Sequence, residues 1–344
     1  MVSTGNGAGV CAAAAVEITR RPNQALLIAP PSGIFFNMTL SSQVAAEQFV
    51  ALGAPHHTLE SYPNRDVSLG KLVVTRAIPI RDRRMVGPWC FLDRFGPLSF
   101  SAERPMDVAP HPHIGLQTVT WLLEGEILHD DSLGSAATGR PGGVNIMTAG
   151  RGIAHAEQTP VANSGKLNGV QLWVALSDAH RSAEPTFEHI PRVPLIETPG
   201  AAVQVFAGSL AGGTLVGADL EVHPGHATEV AVESSFEHAL LVLSGEAELE
   251  GQRLEPRRLY YLGTQRSSIA LKSETGGRLL LIGGPPFPEP ILMWWNFVAR
   301  TPEEIAAARA DWEAHRRFGD VTAYRGPRLD APALARFARP NPVS

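Results

Sequence analysis

The chain has 344 residues, a formal charge of -5 and 44% hydrophobic residues, which is enough for one large or two medium domains with a real core. Acids and bases are interspersed with no basic stripe, so direct nucleic-acid binding lacks its electrostatic footprint, and no run of about 20 apolar residues offers a membrane-spanning helix. The two cysteines, Cys11 and Cys90, make no disulfide framework, so the expected setting is reducing and cytoplasmic.

Residues 1–37 carry an alanine run that is followed, not preceded, by arginines, and prolines interrupt the next apolar stretch. That order is wrong for a secretion signal. The segment is expected to lie upstream of a true start at Met38, with a flexible arm or a targeting segment as the alternatives. The glycine-rich GNGAGV near the beginning follows no strand and is not a dinucleotide fingerprint.

The 33 glycines and 28 prolines fall between short apolar runs such as KLVVTRAIPI, TVTWLLEGEI, VNIMTAG, GVQLWVALS, AVQVFAGSL, ALLVLSGEAELEG and RLLLIGG. Each reads as a strand rich in Val, Leu, Ile and Thr. Strands this numerous predict an all-β sandwich or barrel. WLLEGEI at 121–127 and LVLSGEA at 241–247 share a pattern, and each leads to a proline-led strand, RPGGVNIM and EPRRLYYL. This repeat predicts two tandem β-barrels, divided near the polar stretch from Ser177 to Pro185. The expected organisation is an irregular extension (1–37), a first barrel with the functional site (38–182), a second barrel without it (183–292), and a C-terminal helix with a proline-rich tail (293–344). Thr301 is a good N-cap for that helix, Pro302 suits its first position, and Glu303 and Glu304 complement its dipole. The pattern runs on to a stop near Gly319. Trp121 and Trp173 are expected in the core, and Trp294 and Trp295 are expected to pack the helix onto a barrel.

The candidate site lies in two blocks, PHPHIGLQTVTWLLEG from Pro110 and MTAGRGIAHAEQTP from Met147. Side chains two apart on a strand face the same side, so His111 and His113 can aim at one point, with Pro112 biasing His111 towards extended backbone. His155 and Glu157 repeat that spacing. Taken alone, a His-x-His or a His-x-Glu is as readily an exposed or hydrogen-bonded pair. Together they offer three imidazoles and one carboxylate, which suit Fe(II), Mn, Ni, Cu or Zn and leave positions open on an octahedral ion. His129, in LHDDSLG, is expected on a turn or in a position to orient a ligand rather than to touch metal. In the second copy, Ala231 and Glu233 occupy the positions of the histidines. His223, His226 and His238 nearby lack the spacing and are expected to be structural or superficial.

The two blocks, together with VGPWCFLDRFGP from Val86 and GVQLWVAL from Gly169, closely resemble the pirin family of the cupin superfamily over roughly residues 60 to 325. The resemblance implies two cupin (jelly-roll) barrels in one chain with a single iron, Fe(II), in the first. It carries metal ligation onto His111, His113, His155 and Glu157. Two positions depart from the family pattern: Gln117 stands where many members have glutamate, and Ala175 where asparagine is usual. The resemblance implies a metal-dependent oxidoreductase, with flavonol 2,3-dioxygenase (quercetinase) activity as the specific expectation. A small aromatic substrate would bind the metal, and Glu157 would take its hydroxyl proton as the catalytic base. The alternative is a non-catalytic iron-dependent redox sensor that binds a transcription factor or metabolic enzyme. A monomer is expected.

Overall fold

The computed structural model describes residues 58–69, 72–101 and 105–334. The expectations for residues 1–37, Met38 and Cys11 lie outside the described residues, as does the end of the tail. The first part of the chain forms β1 (Glu60–Pro63), β2 (Arg65–Leu69), β3 (Leu72–Ile78), β4 (Trp89–Ser99), β5 (Asp107–His113), β6 (Leu116–Gly125), β7 (Ile127–Asp131), β8 (Ala136–Gly139), β9 (Val144–Thr148), β10 (Ile153–Gln158), β11 (Lys166–Ala175) and β12 (Thr186–Ile190). The second forms β13 (Ile196–Thr198), β14 (Ala201–Gly208), β15 (Val216–Val222), β16 (His226–Ala231), β17 (Glu237–Gly245), β18 (Ala247–Leu249), β19 (Gln252–Leu254), β20 (Arg258–Gly263), β21 (Ser268–Ser273), β22 (Gly277–Gly284), β23 (Leu292–Trp294), β24 (Phe297–Ala299) and α1 (Pro302–Glu313).

The internal repeat is expressed as two sheet pairs of one design. In the first, the seven-stranded sheet β12-β9-β6-β11-β4-β3-β2 is joined by the four-stranded sheet β5-β10-β7-β8. In the second, β1-β20-β17-β22-β15-β14-β13 is joined by β16-β21-β18-β19. The two large sheets share one core: Trp89, Val119 and Trp121 from the first meet Phe206, Leu241 and Leu280 from the second. Strand alternation therefore gives both large sheets two apolar faces, one towards the other barrel and one towards the interior of its own. The fold is all-β, with two tandem barrels of one design and a C-terminal helix, as the sequence predicts.

Two polar contacts pin the shared face. Trp121 Nε1 donates to Asp219 Oδ2 at 2.8 Å, and Trp89 Nε1 lies 3.1 Å from the Val216 oxygen and 3.0 Å from that of Gly283.

The ends of the chain cross over. β1 pairs with β20 of the second sheet pair, while the hairpin β23–β24 and α1 pack against the outside of the first. There Ile305, Ala308 and Trp312 of the helix meet Ala154 and Ala156 of β10, with Trp294 and Trp295 against the same cluster. Thr301 caps α1 through its side-chain oxygen, which accepts from Glu304 N. The helix ends at Glu313, short of the stop expected near Gly319, because His315 and Arg317 take left-handed backbone (φ 53 and 72). That turn brings Phe318 flat against Phe297, with ring centroids 5.9 Å apart and an interplanar angle of 7°.

Candidate metal centre

β5 is the edge strand of its four-stranded sheet, a place where proline removes no essential ladder bond, so the His-Pro-His run is tolerated there. Strand alternation turns His111 and His113 into the barrel. Antiparallel pairing sets His155 of β10 opposite His111 and Ile153 opposite His113. Along β10, Ala154 and Ala156 face outward to the helix cluster, which leaves His155 and Glu157 on the inner face. All four are buried: His111 is 6%, His113 1%, His155 1% and Glu157 8% exposed.

One donor atom from each of His111, His113 and His155 lies within 4.8 Å of the others. Glu157 enters a second, overlapping trio with His155 and His129, within the same distance. The Nε2 atoms of His113 and His155 are 3.0 Å apart. On the far side of each ring, Nδ1 is engaged. The Nδ1 of His111 lies 2.9 Å from the Ala109 oxygen, that of His113 lies 3.1 Å from the Asn296 oxygen, and that of His155 lies 3.3 Å from His129 Nδ1.

Burial depresses the imidazole pKa of His111 to about 4 and pushes those of His113 and His155 well below the ordinary value. The three rings are therefore neutral at physiological pH, the form in which imidazole binds metal. Burial also raises the Glu157 carboxyl above its usual range. Thr120 Oγ1 lies 3.4 Å from Glu157 Oε1 and 2.9 Å from Gln171 Oε1.

The geometry fits a cation. Two neutral imidazole nitrogens 3.0 Å apart are held together either by a hydrogen on one of them or by an ion that both face, because two bare lone pairs at that distance repel. Nitrogens about 2.1 Å from one ion and at right angles across it stand about 3 Å apart. The borderline nitrogens of the trio suit a divalent transition ion, while Glu157 shares only His155 with that trio.

Aromatic rings surround the cluster. Trp173 meets His113 edge-on at 5.3 Å and stacks on Phe91 at 4.0 Å. Phe187 lies flat on His129 at 4.1 Å. Gln117, one of the two departures from the family pattern, is buried and donates from Nε2 to Thr148 Oγ1 at 2.8 Å. Ala175, the other, is buried in the apolar cluster that contains Trp173, Leu116 and Met147.

Of the two placements expected for His129, the turn is not the one found: it is buried on β7, which pairs with β10 so that His129 stands opposite Glu157 and Asp131 opposite His155, and its Nδ1 lies 3.3 Å from that of His155, where it can orient that ring. One participant escaped the sequence reading. Asn296 contributes through its backbone oxygen, for which no sequence signal exists. In the second barrel, Val230, Phe236, Ile269 and Leu271 fill the interior. His238 is fully buried, and His226 is exposed with Nδ1 2.8 Å from the Pro224 oxygen.

Comparison with known proteins places this chain in a family. The family model Pirin matches residues 71–174, and that of the pirin C-terminal cupin domain matches residues 217–319. The crystal structure of quercetin 2,3-dioxygenase from Acinetobacter baumannii is 42% identical, with a TM-score of 0.78, covering 82% of this chain and 97% of that one. A pirin-like protein of Caulobacter vibrioides is 36% identical over 73% of this chain and 92% of its own length. Human pirin is 29% identical over 70% of this chain and 86% of its own.

Proposed function

This chain belongs to the pirin family, and from that premise we propose that it is a metal-dependent oxidoreductase that uses dioxygen to open a flavonol-like aromatic substrate, an activity of the quercetin 2,3-dioxygenase type. The observation that carries the reading is the convergence of three buried, neutral imidazoles whose Nδ1 atoms are all engaged elsewhere. Similarity to the Acinetobacter baumannii enzyme supports the substrate class.

In this reading His111, His113, His155 and Glu157 hold one ion, Fe(II) by preference, with Mn, Ni, Cu or Zn as alternatives. A bound ion supplies Lewis acidity and the one-electron chemistry that dioxygen needs. The rest falls to the chain. Glu157 takes the substrate hydroxyl proton onto a carboxylate oxygen, a transfer made easier because a bound ion would lower the pKa of that hydroxyl. A flat ring system would lie against Trp173, which meets His113 edge-on at 5.3 Å; Phe91, Leu116 and Met147 are buried in the same apolar cluster. The setting proposed is the cytoplasm, where buried Cys90, its thiol pushed up to about 12 by burial, stays reduced and unreactive. No helix among the described residues is long and apolar enough to cross a membrane.

Anaerobic reconstitution with Fe(II), followed by oxygen uptake with a panel of flavonols and catechols, tests the activity. Uptake that tracks flavonol consumption supports it, and a fully loaded protein that consumes no oxygen rules it out. A second reading is favoured by the depth of the cluster, whose His113 and His155 are each 1% exposed. There the ion's oxidation state sets affinity for a protein partner, and the protein turns nothing over.

A further inference from the structure

Each imidazole of the trio can present Nε2 to an ion only if its own hydrogen sits on Nδ1. For His111 and His113 this is settled by backbone oxygens, those of Ala109 at 2.9 Å and Asn296 at 3.1 Å. A carbonyl only accepts, so each Nδ1 carries hydrogen. His155 has no such partner. Its Nδ1 faces another imidazole nitrogen, Nδ1 of His129, at 3.3 Å. A contact between two imidazoles can run in either direction, and only one direction leaves His155 Nε2 free.

The direction is decided at the far edge of the second ring. His129 Nε2 lies 3.2 Å from Asp131 Oδ2. The other oxygen, Oδ1, accepts from the backbone N–H groups of Leu133 at 2.9 Å and Ser135 at 3.0 Å, which hold the carboxylate in place. Stacking of Phe187 on His129, at 4.1 Å and 6° between planes, fixes the plane of the ring.

We propose that Asp131 and His129 form a fixed hydrogen-bond relay that sets the tautomer of His155. Asp131 Oδ2 accepts from His129 Nε2–H, and His129 Nδ1 accepts from His155 Nδ1–H. His155 Nε2 then keeps its lone pair. The competing arrangement, with His155 Nε2–H donating to His113 Nε2 across their 3.0 Å, would leave a lone pair on His129 Nε2 against the Asp131 carboxylate at 3.2 Å, and that repulsion decides against it. His129 is thus a positioning residue that acts through His155. The proposal rests on the reading of the trio as a metal-holding set, but the relay itself exists in the metal-free protein.

Asp131→Asn is the informative variant. The two N–H groups of Leu133 and Ser135 claim the amide oxygen, so its NH2 must face His129. The relay then reverses: His129 donates from Nδ1, and His155 carries its hydrogen on Nε2. His129→Phe keeps the stack on Phe187 but removes the acceptor, and His129→Asn restores an acceptor near the old Nδ1 position.

Imidazole 15N NMR of the metal-stripped full chain reads the tautomer, and calorimetric titration with Ni(II) reads affinity. Wild type and His129→Asn are expected to show His155 as the Nδ1–H form, Asp131→Asn as the Nε2–H form, and His129→Phe as a mixture. Ni(II) affinity should fall about 10- to 100-fold in Asp131→Asn and His129→Phe and recover in His129→Asn. Tautomer shifts in a protein that never binds Ni(II) uphold the relay and count against the metal reading instead. An unchanged His155 tautomer in Asp131→Asn overturns the proposal. So does a second Ni(II) that wild type binds and His129→Phe loses, because His129 would then be a ligand.

Discussion

Asn296 holds its backbone oxygen 3.1 Å from Nδ1 of His113, 183 residues earlier in the chain. The hairpin that follows the second barrel thereby orients a histidine of the first. The approach is close enough to need a glycine: Gly115 has φ +70, and a Cβ there would meet the Val298 oxygen at 2.1 Å.

Gly115→Ala is therefore expected to push the β23–β24 hairpin outward and release His113. Backbone strain of this kind costs about 1–3 kcal/mol. Loss of the supporting carbonyl should weaken Ni(II) binding by about 10-fold or more. Denaturant unfolding and calorimetric titration measure the two effects. Native affinity in a destabilised variant would show that the hairpin does not position His113.

The ligand assignment has a simpler check. His113→Ala and Glu157→Ala, loaded with Fe(II) anaerobically and desalted, should retain much less iron than wild type, with affinity down by about 10- to 100-fold or more. If both variants retain wild-type iron, the ion lies elsewhere or is absent.

Asp219 ties the two barrels together. It accepts from Trp121 Nε1 at 2.8 Å and from Arg278 at 2.8 and 2.7 Å. Asp219→Ala strands a guanidinium and an indole N–H, and it should cost about 3–5 kcal/mol in urea unfolding. Trp121→Phe keeps the stack on Phe206, at 5.0 Å, and should cost less than Asp219→Ala. Equal costs would mean that packing, not charge pairing, dominates this face.

His238 gives the second barrel a pH dependence. Burial lowers its pKa from an ordinary 6.5 to about 4. Above pH 6.5 neither the folded nor the unfolded form is protonated, and the residue contributes nothing to the pH slope. As the pH falls towards 4, the unfolded chain takes up a proton that the folded one refuses, and stability drops by about 3 kcal/mol. His238→Met should remove that part of the loss. Urea midpoints for both proteins at pH 7 and pH 4.5 test this, and parallel declines would show that His238 is not a source of acid sensitivity.

Several of these features are written locally and can be read without coordinates. A two-residue spacing on a strand puts His111 with His113, and His155 with Glu157, on common faces, because alternation of side chains is a property of the strand alone. Pro112 marks an edge, and Thr301-Pro302 begins a helix through contacts within one turn. The 120-residue offset of WLLEGEI and LVLSGEA foretells two copies of one barrel. The helix stop was less legible, because it depends on Phe318 reaching Phe297.

What only the tertiary structure decided is which distant groups stand behind those faces. That β7 lies beside β10, bringing His129 to His155, is a matter of strand order, which no local pattern encodes. The Asn296 oxygen is a backbone atom that every residue type carries equally, so composition cannot mark it. The crossing of β1 to the second sheet pair, and of the C-terminal segment to the first, likewise depends on long-range burial of apolar faces. Spacing along the chain determines the direction in which a side chain points, and packing between remote segments determines what it meets.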